Sequence, residues 1–223
     1  ETGVTAGEWV PHCSGAEITG CQRSTDANST CFDSQVLEQS IDIFGCPEML
    51  ISLKSNSPTG HLIVRLCDVS PDGSSELVSI GTLNLTHRKG NQNPVPMPVG
   101  EIQSLGLKLD YMGHRFSPGQ KIRIALSTAY WPFIWPATNN PILTLANKPT
   151  RLSLPLRTKQ NLKPVQVDPP VAPPASTIST KRTPKSKRAV KYDLHQDKTT
   201  LTIEDDLGEI IYKKHNLATS AAK

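Results

Sequence analysis

Apolar residues return every second position in short runs along this chain, and that period limits the fold more than any other feature of the sequence. Ile122, Ile124 and Leu126 alternate with Arg123, Ala125 and Ser127. Met49, Ile51 and Leu53 alternate with Leu50, Ser52 and Lys54, and Leu62, Val64 and Leu66 with Ile63, Arg65 and Cys67. Successive side chains of a strand point to opposite faces, so a period of two marks strands with one face on a core. Leu105, Leu107 and Leu109 repeat the pattern, and Leu77–Thr86, Ile142–Leu145 and Leu152–Leu156 read as further strands. Strands begin near Ile41, whereas residues 1–34 are rich in Gly, Ser, Thr and Asp and read as an irregular wrap. Turn chemistry separates the runs. Pro118-Gly119 and Pro71-Asp72-Gly73 set the φ angles of tight turns, and a loop from Pro94 to Pro98 leads into the leucine run. Short strands at this spacing without helix-period segments define an all-β sandwich.

The stretch Tyr111–Pro136 joins such a strand to an aromatic loop in which Trp131, Phe133 and Trp135 are spaced by Pro132, Ile134 and Pro136. Proline cannot donate to a central ladder, so these aromatics belong on a loop or sheet rim. Three roles are open to them: a core plug, a docking surface, or a sugar-binding platform. The first two together are favoured, because aromatics bury large areas at interfaces.

This stretch resembles the C-terminal domain of the X-Pro dipeptidyl-peptidase and cocaine-esterase-like (CocE/NonD) serine hydrolases. The resemblance takes in Gly7-Glu8-Trp9, Gly20-Cys21-Gln22-Arg23, Phe32-Asp33-Ser34 and Val64-Arg65-Leu66-Cys67-Asp68-Val69. It continues through Gly81–Arg88 and resumes at Ile203–Gly208. It implies a jelly-roll (galactose-binding-like) β-sandwich packed on a separate α/β-hydrolase domain that carries a Ser-His-Asp triad. Tyr130, Trp131, Phe133 and Trp135 would then form a domain-docking surface or the rim of the acyl or peptide pocket.

No G-x-S-x-G elbow occurs in the 223 residues, and there is no alternating strand-and-helix pattern of a parallel sheet. The chain alone is expected to be inactive, with no catalytic, cofactor or metal residues. It reads as the accessory domain of a hydrolase whose catalytic domain is its partner, in the same parent chain or a separate one. A free-standing carbohydrate-binding or protein-interaction module is the alternative. Left uncovered, the aromatic rim is expected to promote self-association.

The remaining candidates read as structural. His87-Arg88 and His114-Arg115 match family motifs, and hydrogen bonding at strand ends or at the domain interface suits them better than catalysis. Asp68 and Asp72 sit beside ordinary turn chemistry, and a calcium cage needs ~6–8 oxygens. Glu204, Asp205 and Asp206 read as a solvated turn. Cys13, Cys21, Cys31, Cys46 and Cys67 lack zinc spacing and read as free thiols, with a Cys13–Cys21 disulfide or adventitious metal as alternatives. Their odd number favours a reducing compartment, the cytoplasm. Asn28-Ser29-Thr30 and Asn84-Leu85-Thr86 are sequons expected to be unused.

Residues 158–189, with six prolines among small and basic residues, read as an extended linker. Its basic run Lys181–Arg188 lacks interleaved aromatics, and the chain carries only +4. Nucleic acid is therefore not an expected partner. No apolar run approaches the ~18–20 residues of a membrane helix, so no membrane partner is expected either. The expected organisation is a sandwich over 1–157, a linker over 158–189, terminal strands over 190–212 returning to the sandwich, and a frayed tail over 213–223. The first residue is Glu1 rather than methionine, which suits a segment of a longer protein.

Overall fold

The computed structural model describes residues 2–4, 6–8, 19–139, 141–157 and 165–222. They divide into two compact units, the first holding the described residues up to Arg157 and the second those from Val165 onward.

The first unit is an antiparallel β-sandwich. Its strands are β1 (Thr30–Asp33), β2 (Ile41–Gly45), β3 (Glu48–Ser55), β4 (His61–Val69), β5 (Ser75–Asn84), β6 (Gln103–Lys108), β7 (Met112–Phe116), β8 (Lys121–Ser127), β9 (Leu143–Leu145) and β10 (Arg151–Ser153). One sheet has the order β1-β8-β4-β5. A second runs β10-β3-β6 with β9 also paired to β3, and β2 pairs with β7. The alternating apolar residues meet between them. Met49, Ile51 and Leu53 of β3 and Leu105 and Leu107 of β6 pack with Leu62, Val64 and Leu66 of β4 and Ile124 and Leu126 of β8. Phe116, Ile43 and Met97 complete this core.

β4 departs from the half-buried strand that its alternation predicts. Ile63, Arg65 and Cys67, on its other face, are as fully buried as Leu62, Val64 and Leu66. A second apolar cluster of Ala6, Ile63, Ile80 and Tyr130, flanked by Leu77, Phe133 and Ile134, covers that outer face. The cover comes from two loops that carry no period-two signal, the expected wrap near the start of the chain and the aromatic loop after β8. Gly3 shows how closely they meet. It has φ +109°, and a Cβ there would lie 2.5 Å from the backbone of Trp131. Only glycine accepts both conditions.

Residues 1–34 are also more ordered than expected. A four-residue helix, α1 (Arg23–Asp26), precedes β1, whose residues pair with β8 from Thr30↔Leu126 to Asp33↔Arg123. β7 is likewise a strand that the sequence reading passes over. Glycine and histidine interrupt its apolar pattern, and pairing with β2 fixes it instead.

The second unit corrects the linker and tail assignments. Residues 165–177 are exposed and carry no strand, and residues 158–164 lie outside the described residues. Beyond them come β11 (Ile178–Arg182), β12 (Lys185–Asp193), β13 (Lys198–Tyr212) and β14 (Leu217–Ala222). The pairings recorded for these strands are with one another, in the order β11-β13-β12 with β14 also on β13. Charge register explains why the basic run is strand. Lys185 stands opposite Asp206 and Lys187 opposite Glu204. Lys181 reaches Glu209 at 3.7 Å, and Arg182 pairs with Asp206. Each run suggests solvated chain when read alone, and together they make complementary cross-strand pairs. Pro184 occupies the break between β11 and β12. Glu204, Asp205 and Asp206, expected as a solvated turn, lie within β13, where the register shifts between Asp206 and Gly208.

Candidate functional site

The most distinctive side chain is Arg65, buried at the centre of β4 with no exposed surface. An isolated guanidinium in an apolar interior is strongly unfavourable, so its partners decide what the outer face of this sheet can be. Arg65 Nη1 lies 2.8 Å from Asp26 Oδ1 and donates to Gln22 Oε1 at 3.1 Å. Nη2 donates to Ser29 Oγ at 2.9 Å. The Asp26 contact is ionic rather than directed: Oδ1 accepts no aligned hydrogen bond among the described residues, and Arg65 Nε is likewise without an acceptor. Arg123 supports the same carboxylate, with Nη1 3.1 Å from Asp26 Oδ2, and also grips Asp33 through Nε at 2.7 Å. That bond from Arg123 holds the Asp33 carboxyl below its ordinary range.

This network anchors the aromatic loop. Tyr130 donates its hydroxyl to Gln22 Oε1 at 2.7 Å, and its ring lies 5.3 Å from the Arg65 guanidinium carbon. That distance is within cation–π range. Burial pushes the Tyr130 phenol above its usual pKa. Phe133 meets the Tyr130 ring edge-on at 5.7 Å. Trp131 N–H donates to Thr2 O at 3.1 Å and Ile134 N–H to Tyr130 O at 2.8 Å, with a cis peptide at Trp131-Pro132. The four rim residues therefore divide. Tyr130 is fully buried and Trp131 and Phe133 half-buried, whereas Trp135 is 82% exposed. Beside Trp135 an open cleft of about 460 Å3 is lined by His61, Asn84, Thr86 and Thr138, among others.

The other candidates take local roles. His114 Nε2 lies 2.8 Å from Asp68 Oδ2, and its ring packs edge-on against Phe116. Arg88 donates to the carbonyls of Leu85, Val95 and Pro96, closing the proline loop, and His87 bonds Asn91 at 3.1 Å. Asp72 accepts from Ser74 N–H and Oγ–H, which depresses its carboxyl pKa, and its carbonyl receives Arg23 Nη2. Asp206 is lowered chiefly by its bond from Arg182. Cys21, Cys31, Cys46 and Cys67 are free thiols, and burial pushes Cys67 up to about 12. Cys13 and Trp9 lie outside the described residues. Among the described residues no three His, Cys, Asp or Glu side chains gather where a metal could bind.

Arg65, Asp26 and Gln22 were not singled out in the sequence as a site. The available signal was Ile63-Val64-Arg65-Leu66-Cys67, apolar in both phases of the alternation. A strand covered on both faces that carries an arginine needs a carboxylate from elsewhere.

A sandwich whose buried charges pair with one another is built to hold a surface in place. It is an antiparallel β-domain. The family model of the X-Pro dipeptidyl-peptidase C-terminal non-catalytic domain matches residues 2–169, and the chain belongs to that family. Among curated proteins, cocaine esterase of Rhodococcus sp. is 24% identical over 102 residues, covering 46% of this chain and 18% of the esterase. A putative serine esterase of Mycobacterium bovis is 26% identical over 125 residues, covering 48% and 20%. The matched region is about a fifth of each curated relative. Two solved structures share the fold at a TM-score of 0.59. One is an alpha-amino acid ester hydrolase, 19% identical, with 67% of this chain and 30% of that chain covered. The other is an aminopeptidase from a marine sediment archaeon, Thaumarchaeota archaeon, 15% identical, with 66% and 29% covered.

Proposed function

We propose that the chain is the accessory β-sandwich of an α/β-hydrolase-type serine hydrolase acting on esters, amides or X-Pro peptides, with the Ser-His-Asp triad on a separate catalytic domain. Membership of a non-catalytic family, together with matches that cover only about a fifth of each curated esterase relative, is the observation that carries this reading. The jelly-roll connectivity of that family is part of the same proposal.

The aromatic loop is the surface that meets the catalytic domain. Trp131 and Phe133, half-buried and rigidly backed by Tyr130, suit the docking base, because aromatic anchors on a rigid support lose little freedom on binding. Trp135, at the exposed tip beside the cleft, suits the rim of the substrate pocket. Uncovered, the same aromatic surface favours self-association of the chain.

The purified chain is therefore expected to show no turnover of 4-nitrophenyl acetate or an Xaa-Pro-4-nitroanilide above a heat-killed control, and no labelling by a fluorophosphonate. Stoichiometric labelling of one serine, accompanied by turnover, overturns the reading.

A further inference from the structure

The cleft beside Trp135 lies wholly within the first unit, and its lining combines three properties that select a ligand class. About 460 Å3 falls within the ~300–1,000 Å3 usual for small-molecule sites. No Asp, Glu, Lys or Arg lines it, so a charged ligand would give up hydration without gaining an opposite charge. Its polar groups are nevertheless several. Thr59, Thr86 and Thr138 bring hydroxyls, Asn84 an amide and His61 an imidazole.

Two of these groups have hydrogen-bonding capacity to spare. Asn84 Oδ1 accepts from Thr86 N–H at 3.1 Å and from the Thr86 hydroxyl at 2.9 Å, which fixes the amide and leaves its Nδ2 donors without an acceptor among the described residues. His61 Nδ1 is buried and has no hydrogen-bond partner among the described residues. Burial also lowers the pKa of that ring, which keeps the lining neutral near pH 7. A purely apolar ligand would cover the Asn84 donors and leave them unsatisfied. Against them stands one broad apolar surface, the Trp135 indole, 82% exposed and flanked by Pro136.

We infer that this cleft binds a neutral saccharide, its C–H face stacked on Trp135 and its hydroxyls bonded to Asn84 Nδ2 and the threonines. A pyranose ring presents an apolar face and a rim of uncharged hydroxyls, the two surfaces that the lining calls for. The inference rests on placing Trp135 at a pocket rim in the accessory-domain reading.

The test uses the whole chain with cellotriose, maltotriose and β-1,4-galactotriose, and with trigalacturonate and 4-nitrophenol as charged and apolar controls. Tryptophan fluorescence and saturation-transfer NMR follow binding. At least one neutral trisaccharide is expected to saturate, with neither control competing. Trp135→Ala, at an exposed position where folding is undisturbed, is expected to weaken binding at least tenfold. Asn84→Asp keeps the oxygen that caps Thr86 but loses the donors, and is expected to weaken it similarly. Failure of all three trisaccharides to bind overturns the inference, as does binding by either variant within twofold of the natural chain or competition by either control. Those results leave the accessory-domain reading standing, since serine labelling and turnover decide that separately.

Discussion

β4 and β13 are both long strands paired on two sides, yet different forces hold them. Eight of the nine residues of β4 are buried, and its two faces belong to two separate apolar clusters. Of the fifteen residues of β13 only Gly208 is buried. Its neighbours are held by ladder hydrogen bonds and by cross-strand charges, such as Arg182 with Asp206 and Lys181 with Glu209. Strand geometry is thus common to both units, and burial is not. In the sandwich, apolar transfer and buried-charge pairing set stability. In the second unit it depends on weaker, solvent-screened terms.

The largest expected effect is at Arg65, the most deeply buried charge among the described residues of the sandwich. Arg65→Ala removes one of the two arginine partners of Asp26, takes a bond each from Gln22 and Ser29, and leaves a cavity under Tyr130. Breaking one side of a buried pair costs about 3–5 kcal/mol, to be read as a lower urea midpoint. A loss below 1 kcal/mol would place β4 in the same class as β13. Leu66→Ala comes next, at about 2–5 kcal/mol for a fully buried leucine. The half-buried Leu201 of β13 is its counterpart, and Leu201→Ala is expected to stay within about 0.5–1 kcal/mol by the same denaturation.

A smaller change is expected at Tyr130→Phe. Only the hydroxyl bond to Gln22 is lost and Arg65 still satisfies that oxygen, so about 1 kcal/mol is expected. The least energetic test is chemical. Alkylation near pH 8 should label exposed Cys21 in the folded chain, whereas Cys67, held up to about 12 by burial, should react only after unfolding. Equal labelling of the two in the native chain would contradict the double cover over β4.

The same contrast decides what could be read from the amino-acid sequence. The inner core was legible because Leu62, Val64 and Leu66, and their counterparts in β3 and β8, repeat at the strand period. The second face of β4 was not, since its cover comes from Tyr130–Ile134 and the opening residues, which carry no periodic signal. The aromatic loop was visible as a motif. Its division into a buried Tyr130 and an exposed Trp135 depends on Arg65 and Gln22, distant in sequence. In the second unit, composition misled. Prolines at 164–174 and the basic run that follows share the look of a linker, and only the register against Glu204–Asp206 makes β12 a strand.

Acid adds a directional check. The Asp33 and Asp206 carboxyls are held below their ordinary range by bonds from Arg123 and Arg182, so each releases its proton more readily folded than unfolded. The stability each contributes is complete above the unfolded-state value of ~3.9 and is lost as pH falls through the depressed folded value. Asp33 adds to a buried core, whereas Asp206 belongs to a sheet without one. Acidification through that window should therefore loosen β11–β13 before β1 and β8.

Amide hydrogen exchange along the whole chain, measured at low and at 1 M salt, tests the difference between the two units most directly. The amides of β4 and β8 should be the slowest and indifferent to salt. Those of β11–β13 should exchange much faster, and faster again at 1 M, where a Debye length of ~3 Å screens the cross-strand pairs. Protection in β12 and β13 equal to that of β4 and unmoved by salt would contradict the account.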